Sequence, residues 1–204
     1  MNNSSPLEQI RNRIIASKGG TVFVAADFHD LASNDSVRKC LSRLEGAGLI
    51  RRVLHGIYEY PEYSDFLAEY IAPSPHLVAL SLARNYGWTI VPYGDTALNL
   101  LGLSTQVPAE WTYVSDGPYK EYALGKSIIR LKRTANKDIS NLTYKRALLV
   151  QAIKAIGKEH LDSAAKRRIA ALMTGDEKAA CLSEGKYMTT WVYEAIKEIC
   201  VLGG

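Results

Sequence analysis

At 204 residues, with 47% apolar and 23% charged side chains, the chain is too long for one small domain and too apolar for a disordered one, so two folded units are expected. Three cysteines, Cys40, Cys181 and Cys200, stand far apart and in no CxxC pair, which argues against a disulfide framework or a zinc site. The opening residues lack the basic and apolar regions of a signal peptide, and no run approaches the roughly 20 apolar residues that cross a bilayer, so a cytoplasmic chain is expected.

The net charge of +4 is unevenly spread: from residue 120 onward 16 Lys/Arg face 9 Asp/Glu, whereas residues 61 to 119 hold one basic side chain and six acidic ones. Pro6 to Ser17 carries Leu7, Ile10, Ile14 and Ile15 at helical spacing and is stopped by Gly19 and Gly20. Thr21 to Val24 is β-prone, and Ala25 to Leu31 reads as a short second helix with Phe28 and Leu31 turned inward. Ser33, Asn34 or Asp35 can cap a third helix, whose apolar positions Val37, Cys40, Leu41 and Leu44 follow the i, i+3, i+4, i+7 rule up to Gly48. Ser36, Arg38, Lys39, Ser42 and Arg43 then lie off the buried stripe.

Two β runs, Leu49 to Val53 and Ile57 to Tyr60, flank Leu54-His55-Gly56, a hairpin turn with glycine available for positive φ. Three helices, the third basic, followed by a hairpin carrying Arg51, Arg52 and His55, form the element order of a winged helix-turn-helix over roughly residues 6 to 61. In such domains the third helix reads base edges in the major groove and the wing rests on phosphates.

Pro61 to Ser74 reads as a connector. Beyond it the sequence predicts a helix over His76 to Tyr86, a strand over Trp88 to Tyr93, a helix over Ala97 to Leu101 and a β run over Trp111 to Ser115. A second hairpin joins Tyr119 to Ala123 with Ser127 to Arg133 through Leu124-Gly125-Lys126; in its second arm Ile129 and Leu131 face the core while Arg130 and Lys132 face away. Helices follow over Tyr144 to Ile156, Ala164 to Met173 and Thr189 to Cys200. The expected fold class is therefore α+β: a winged helix-turn-helix over residues 1 to 64, then a mixed domain over residues 65 to 204 with a small sheet and a helical C-terminal half.

No enzyme chemistry stands out, and no cofactor, catalytic residue or metal ligand is expected. Tyr93-Gly94-Asp95-Thr96 lies between a strand and a helix, where backbone N–H groups can hold phosphate, but without a glycine-rich loop and lysine it reads as a helix cap. His29, His55, His76 and His160 are scattered, and Ser104 and Ser115 lie in no nucleophile elbow. Lys166-Arg167-Arg168 reads as a solvated helix face.

The stretches DFHDLASNDSVRKCLSRLEGAGLIRRVLHGIYEYP and PYGDTALNLLGLSTQVPAEWTYVSDGP together resemble the AbiEi family, the antitoxins of type IV toxin–antitoxin (abortive infection) systems, in its short bacterial branch. The resemblance implies an N-terminal domain that binds double-stranded DNA at the operator of its own operon as a repressor. It further implies a C-terminal domain that antagonises a nucleotidyltransferase-like toxin without a stable complex. Carried over position by position, the implied DNA contacts are Asn34, Ser36, Arg38, Lys39 and Arg43 on the third helix, with Ser42 beside them, and Arg51, Arg52 and His55 on the wing. Arg130 and Lys132 are candidates for a second DNA contact. The alternative is a ligand-sensing winged-helix transcriptional regulator with no toxin partner, which requires a polar-lined pocket in the second domain.

Overall fold

A computed structural model describes residues 4–134 and 141–202, without the side chain of residue 186. The protein is α+β and divides into two compact units, one ending at Trp88 and one beginning at Thr89.

The first unit opens with α1 (Pro6–Ile15), where Ser5 Oγ accepts the Glu8 N–H and Pro6 fills the first helical position, which needs no donor. Ile10 and Ile14 are its buried anchors. After β1 (Val22–Phe23), the expected second helix is reduced to one 3₁₀ turn, Ala25–Phe28. Phe28 is the segment's single fully buried residue, and the Asp27 carboxylate accepts the Val24 N–H at 2.8 Å, so the segment closes on i to i+3 bonds and does not propagate.

Helix α2 (Asn34–Gly46) buries Val37, Cys40, Leu41 and Leu44, the stripe expected from periodicity. Strands β2 (Arg51–Leu54) and β3 (Ile57–Glu59) form an antiparallel hairpin that turns at His55 and Gly56, the latter with φ 74°. Strand β3 also pairs with β1, which makes a three-stranded sheet in the order β1-β3-β2. Phe23, Phe28, Val37, Leu41, Leu44, Ile50 and Tyr58 join the α1 anchors in one core.

The segment read as a connector is structured. It forms a second small hairpin, β4 (Tyr63–Ser64) with β5 (Glu69–Tyr70), in which Tyr63 opposes Tyr70 and their rings meet edge to face at 5.2 Å. Ala68, at φ 52°, is the sole non-glycine residue with positive φ among the described residues.

Helix α3 (Pro75–Tyr86) then packs on β1, β3 and the 3₁₀ turn, burying Val78, Ala79, Leu82 and Ala83. Arg84 fastens it by pairing with Asp27 at 3.2 Å and donating to the Val22 carbonyl. The first unit therefore runs past the boundary expected at residue 64, because α3 packs on its strands and 3₁₀ turn.

The second unit contains β6 (Ile90–Pro92), α4 (Asp95–Leu100), β7 (Glu110–Ser115), β8 (Lys120–Leu124) and β9 (Ser127–Arg133). Its sheet order is β6-β7-β9-β8, with β9 antiparallel to β8 but parallel to β7. Ile129 and Leu131 are fully buried, in keeping with the alternation along β9. Among the described residues the α-helices that follow are α5 (Tyr144–Ile156), α6 (Ser163–Ala171), α7 (Gly175–Ser183) and α8 (Thr190–Val201). Leu149, Ile153, Ile169, Cys181, Val192, Ile196 and Ile199 make their shared core.

Periodicity gives no signal for helix α7, since Cys181 is its one buried residue. Its signature is a capping box: Thr174 Oγ accepts the Glu177 N–H, and the Glu177 carboxylate accepts the Thr174 N–H at 2.8 Å. Among the described residues no helix is long and apolar enough to cross a membrane.

Candidate nucleic-acid interface

The amphipathic pattern of α2 turns its apolar stripe into the first unit's core and leaves Asn34, Arg38, Lys39, Ser42 and Arg43 exposed, with Ser36 half-buried. Asn34, Arg38 and Ser42 are spaced i, i+4, i+8, and Lys39 and Arg43 are spaced i, i+4, so the polar groups form two adjoining rows. Among the described residues, Arg38, Lys39 and Arg43 make no ion pair and no side-chain hydrogen bond. Three cations thus stand along one solvent-facing helix with their donors unspent.

The hairpin cations differ. Arg51 Nε meets Glu59 Oε2 at 2.5 Å, and the same guanidinium donates to the Ile71 carbonyl. Glu59 is 1% exposed, so Arg51 neutralises a buried carboxylate and ties β2 to the chain leaving the second hairpin. Arg52 pairs with Glu45 at 2.8 Å and lies over the Tyr58 ring, 5.4 Å from its centroid. Tyr58 first and Glu45 second raise the pKa of its guanidinium. His55 is exposed at the turn. The structure therefore separates the expected wing residues: Arg51 serves the fold, Arg52 is anchored at the edge of the basic face, and His55 projects.

In the second unit Arg130 is held between Glu110 at 2.5 Å and Glu121 at 2.7 Å. The Tyr119 hydroxyl and Arg130 together hold the Glu121 carboxyl below its ordinary pKa. Lys132 lies 5.0 Å from the centroid of the Tyr93 ring. Strand pairing sets these contacts, because Arg130 stands opposite Thr112 on one side and Glu121 on the other. Arg130 is charge-balanced by neighbours 9 and 20 residues away, which composition alone could not reveal.

Other motifs resolve into structural roles. Thr96 is buried and its hydroxyl accepts the Thr112 N–H at 2.8 Å, which ties α4 to β7. Lys166 pairs with Glu198, and Arg168 donates to the Gly102 carbonyl. Burial lowers the pKa of His76. Burial pushes the Cys181 thiol up to about 11, the state of an unreactive core cysteine. Among the described residues no cluster of His, Cys, Asp or Glu could hold a metal ion.

Architecture and surface chemistry together define an α+β protein with an unpaired cationic helix face in its first unit. A family model described as a family of unknown function (DUF6088) matches residues 9–181, and the chain belongs to that family. No curated protein and no solved structure matches it.

Proposed function

We propose that the protein is a sequence-specific DNA-binding transcriptional repressor whose first unit is a winged helix-turn-helix with α2 as its reading helix. The observation that carries this reading is the exposed, unpartnered row of Arg38, Lys39 and Arg43 beside Asn34 and Ser42. An α-helix fits the major groove, where Arg and Lys donate to guanine and Asn pairs with adenine. The order α1, β1, turn, α2, β2, β3 and the sheet order β1-β3-β2 support it. Arg52 and His55 border the same surface as phosphate contacts.

Following the resemblance to AbiEi antitoxins, the operator is that of its own operon, and the second unit antagonises a nucleotidyltransferase-like toxin. The test is fluorescence anisotropy of the full chain with its own upstream duplex and a scrambled duplex, across a salt series. Binding to its own duplex at least tenfold tighter, with affinity falling steeply as salt rises, is expected. Equal affinity for both duplexes would reject sequence-specific reading.

The alternative, a regulator that senses a small molecule, is favoured by one observation: a cavity of about 600 Å³ in the second unit, whose mainly apolar lining also carries the polar side chains Lys158, Lys166, Thr190, Glu194 and Glu198. On that reading, occupation of the cavity changes affinity for the operator duplex.

A further inference from the structure

The cavity lies where the turn Lys158–His160 and α6 face α8 over Thr190 to Glu198. Its volume of about 600 Å³ falls within the range of small-molecule sites, about 300 to 1,000 Å³. Leu161 and Ala195, each 7% exposed, and the half-buried Trp191 supply an apolar lining that includes one indole ring.

The charges around this lining are almost all matched. Lys166 pairs with Glu198 at 2.5 Å, and Glu194 is taken by Lys197 at 2.6 Å. Of the charged side chains lining the cavity, only Lys158 has no ion-pair partner among the described residues. An apolar aromatic hollow with a single unmatched positive charge at its rim is complementary to one chemical class.

We propose that this cavity binds a small organic monoanion with a flat apolar body, its carboxylate facing Lys158 and its ring packed against Trp191, Leu161 and Ala195. As a binding site it stands on the cavity alone; as a site of regulation it rests on the sensing reading above. A neutral ligand of the same shape keeps the packing but loses the ion pair. A dianion gains little, because the other cation in the lining, Lys166, already has its carboxylate.

The experiment is calorimetric titration of the full chain with 2-naphthoate and, separately, with uncharged 2-naphthamide, together with ¹⁵N-indole spectra of the three tryptophans. Saturable naphthoate binding with Kd below about 1 mM is expected. The Trp191 indole signal should shift while those of Trp88 and Trp111 stay in place. An exposed ion pair contributes modestly, so naphthoate should bind about two- to fivefold tighter than the amide. Lys158→Met should abolish that difference, and Trp191→Ala should weaken both ligands. Because Trp191→Ala removes packing from α8, Trp191→Phe serves beside it and should retain at least half of the binding energy. Absence of saturation, a shift at Trp88 or Trp111 in place of Trp191, or an unchanged naphthoate preference in Lys158→Met would overturn the proposal.

Discussion

Replacing Arg51 by Met removes the partner of a carboxylate that is 1% exposed, while keeping an apolar stem of similar length. Breaking a fully buried pair in this way costs about 3 to 5 kcal/mol, because the remaining charge stays desolvated. Here Arg51 is 35% exposed, so water can reach part of the site. The expected loss is therefore reduced to about 2 to 3 kcal/mol, which lowers the melting temperature of a unit this size by roughly 8 to 24 °C. The double variant Arg51→Met with Glu59→Met should be more stable than Arg51→Met alone, since neither charge is then left unpaired in the core. Differential scanning calorimetry of the full chain measures both variants. A loss under about 0.5 kcal/mol for Arg51→Met, or a double variant whose loss is the sum of the two singles, would refute the view that Glu59 needs Arg51.

Arg38→Ala, Lys39→Ala and Arg43→Ala should each leave unfolding within about 0.5 kcal/mol of the parent. On the DNA-binding reading, Lys39→Ala and Arg43→Ala also erode preference for the upstream duplex by about 1 to 3 kcal/mol each; equal losses on scrambled DNA would remove α2 from the reading role. Leu41→Ala, at a fully buried position, should cost about 2 to 5 kcal/mol in urea unfolding, and a wild-type midpoint would mean that the helix is rotated. A fragment ending at Trp88 should melt cooperatively, whereas one ending at Ser64 should not, because it lacks the apolar face of α3; a cooperative transition in the shorter fragment would count against the boundary. Burial lowers the folded-state pKa of His76, so its contribution to stability is present above the unfolded value near 6.5 and is lost as pH falls through the folded value. His76→Gln should flatten the stability profile between about pH 7 and 5, and an unchanged slope would show that other groups set it.

Local periodicity by itself determined much of the first unit. The stripe Val37, Cys40, Leu41 and Leu44 names both the buried and the exposed face of α2, because one turn of helix relates residues three and four apart. Gly56 announced the hairpin turn, and Ile129 and Leu131 announced the inner face of β9, through the two-residue alternation of strands. Periodicity did not distinguish a full second helix from one 3₁₀ turn, since a seven-residue segment with one firm anchor fits either. Nor did it find α7, whose signal was the Thr174/Glu177 cap and not an apolar stripe.

Which cations are available was decided by tertiary structure alone. In sequence, Arg38, Arg43, Arg51, Arg52 and Arg130 are equivalent positive charges. In the folded protein Arg51 meets Glu59, Arg52 meets Glu45, and Arg130 sits between Glu110 and Glu121, while Arg38 and Arg43 on α2 have no ion-pair partner among the described residues. Those pairings depend on strand register and on how α2 abuts the hairpin, which bring together residues 7 to 20 positions apart. The joining of α3 to the first unit and the parallel insertion of β9 beside β7 are of the same kind. Both follow from which apolar faces are left to bury once the local elements exist, and that competition is settled over the whole chain and not within any window of it.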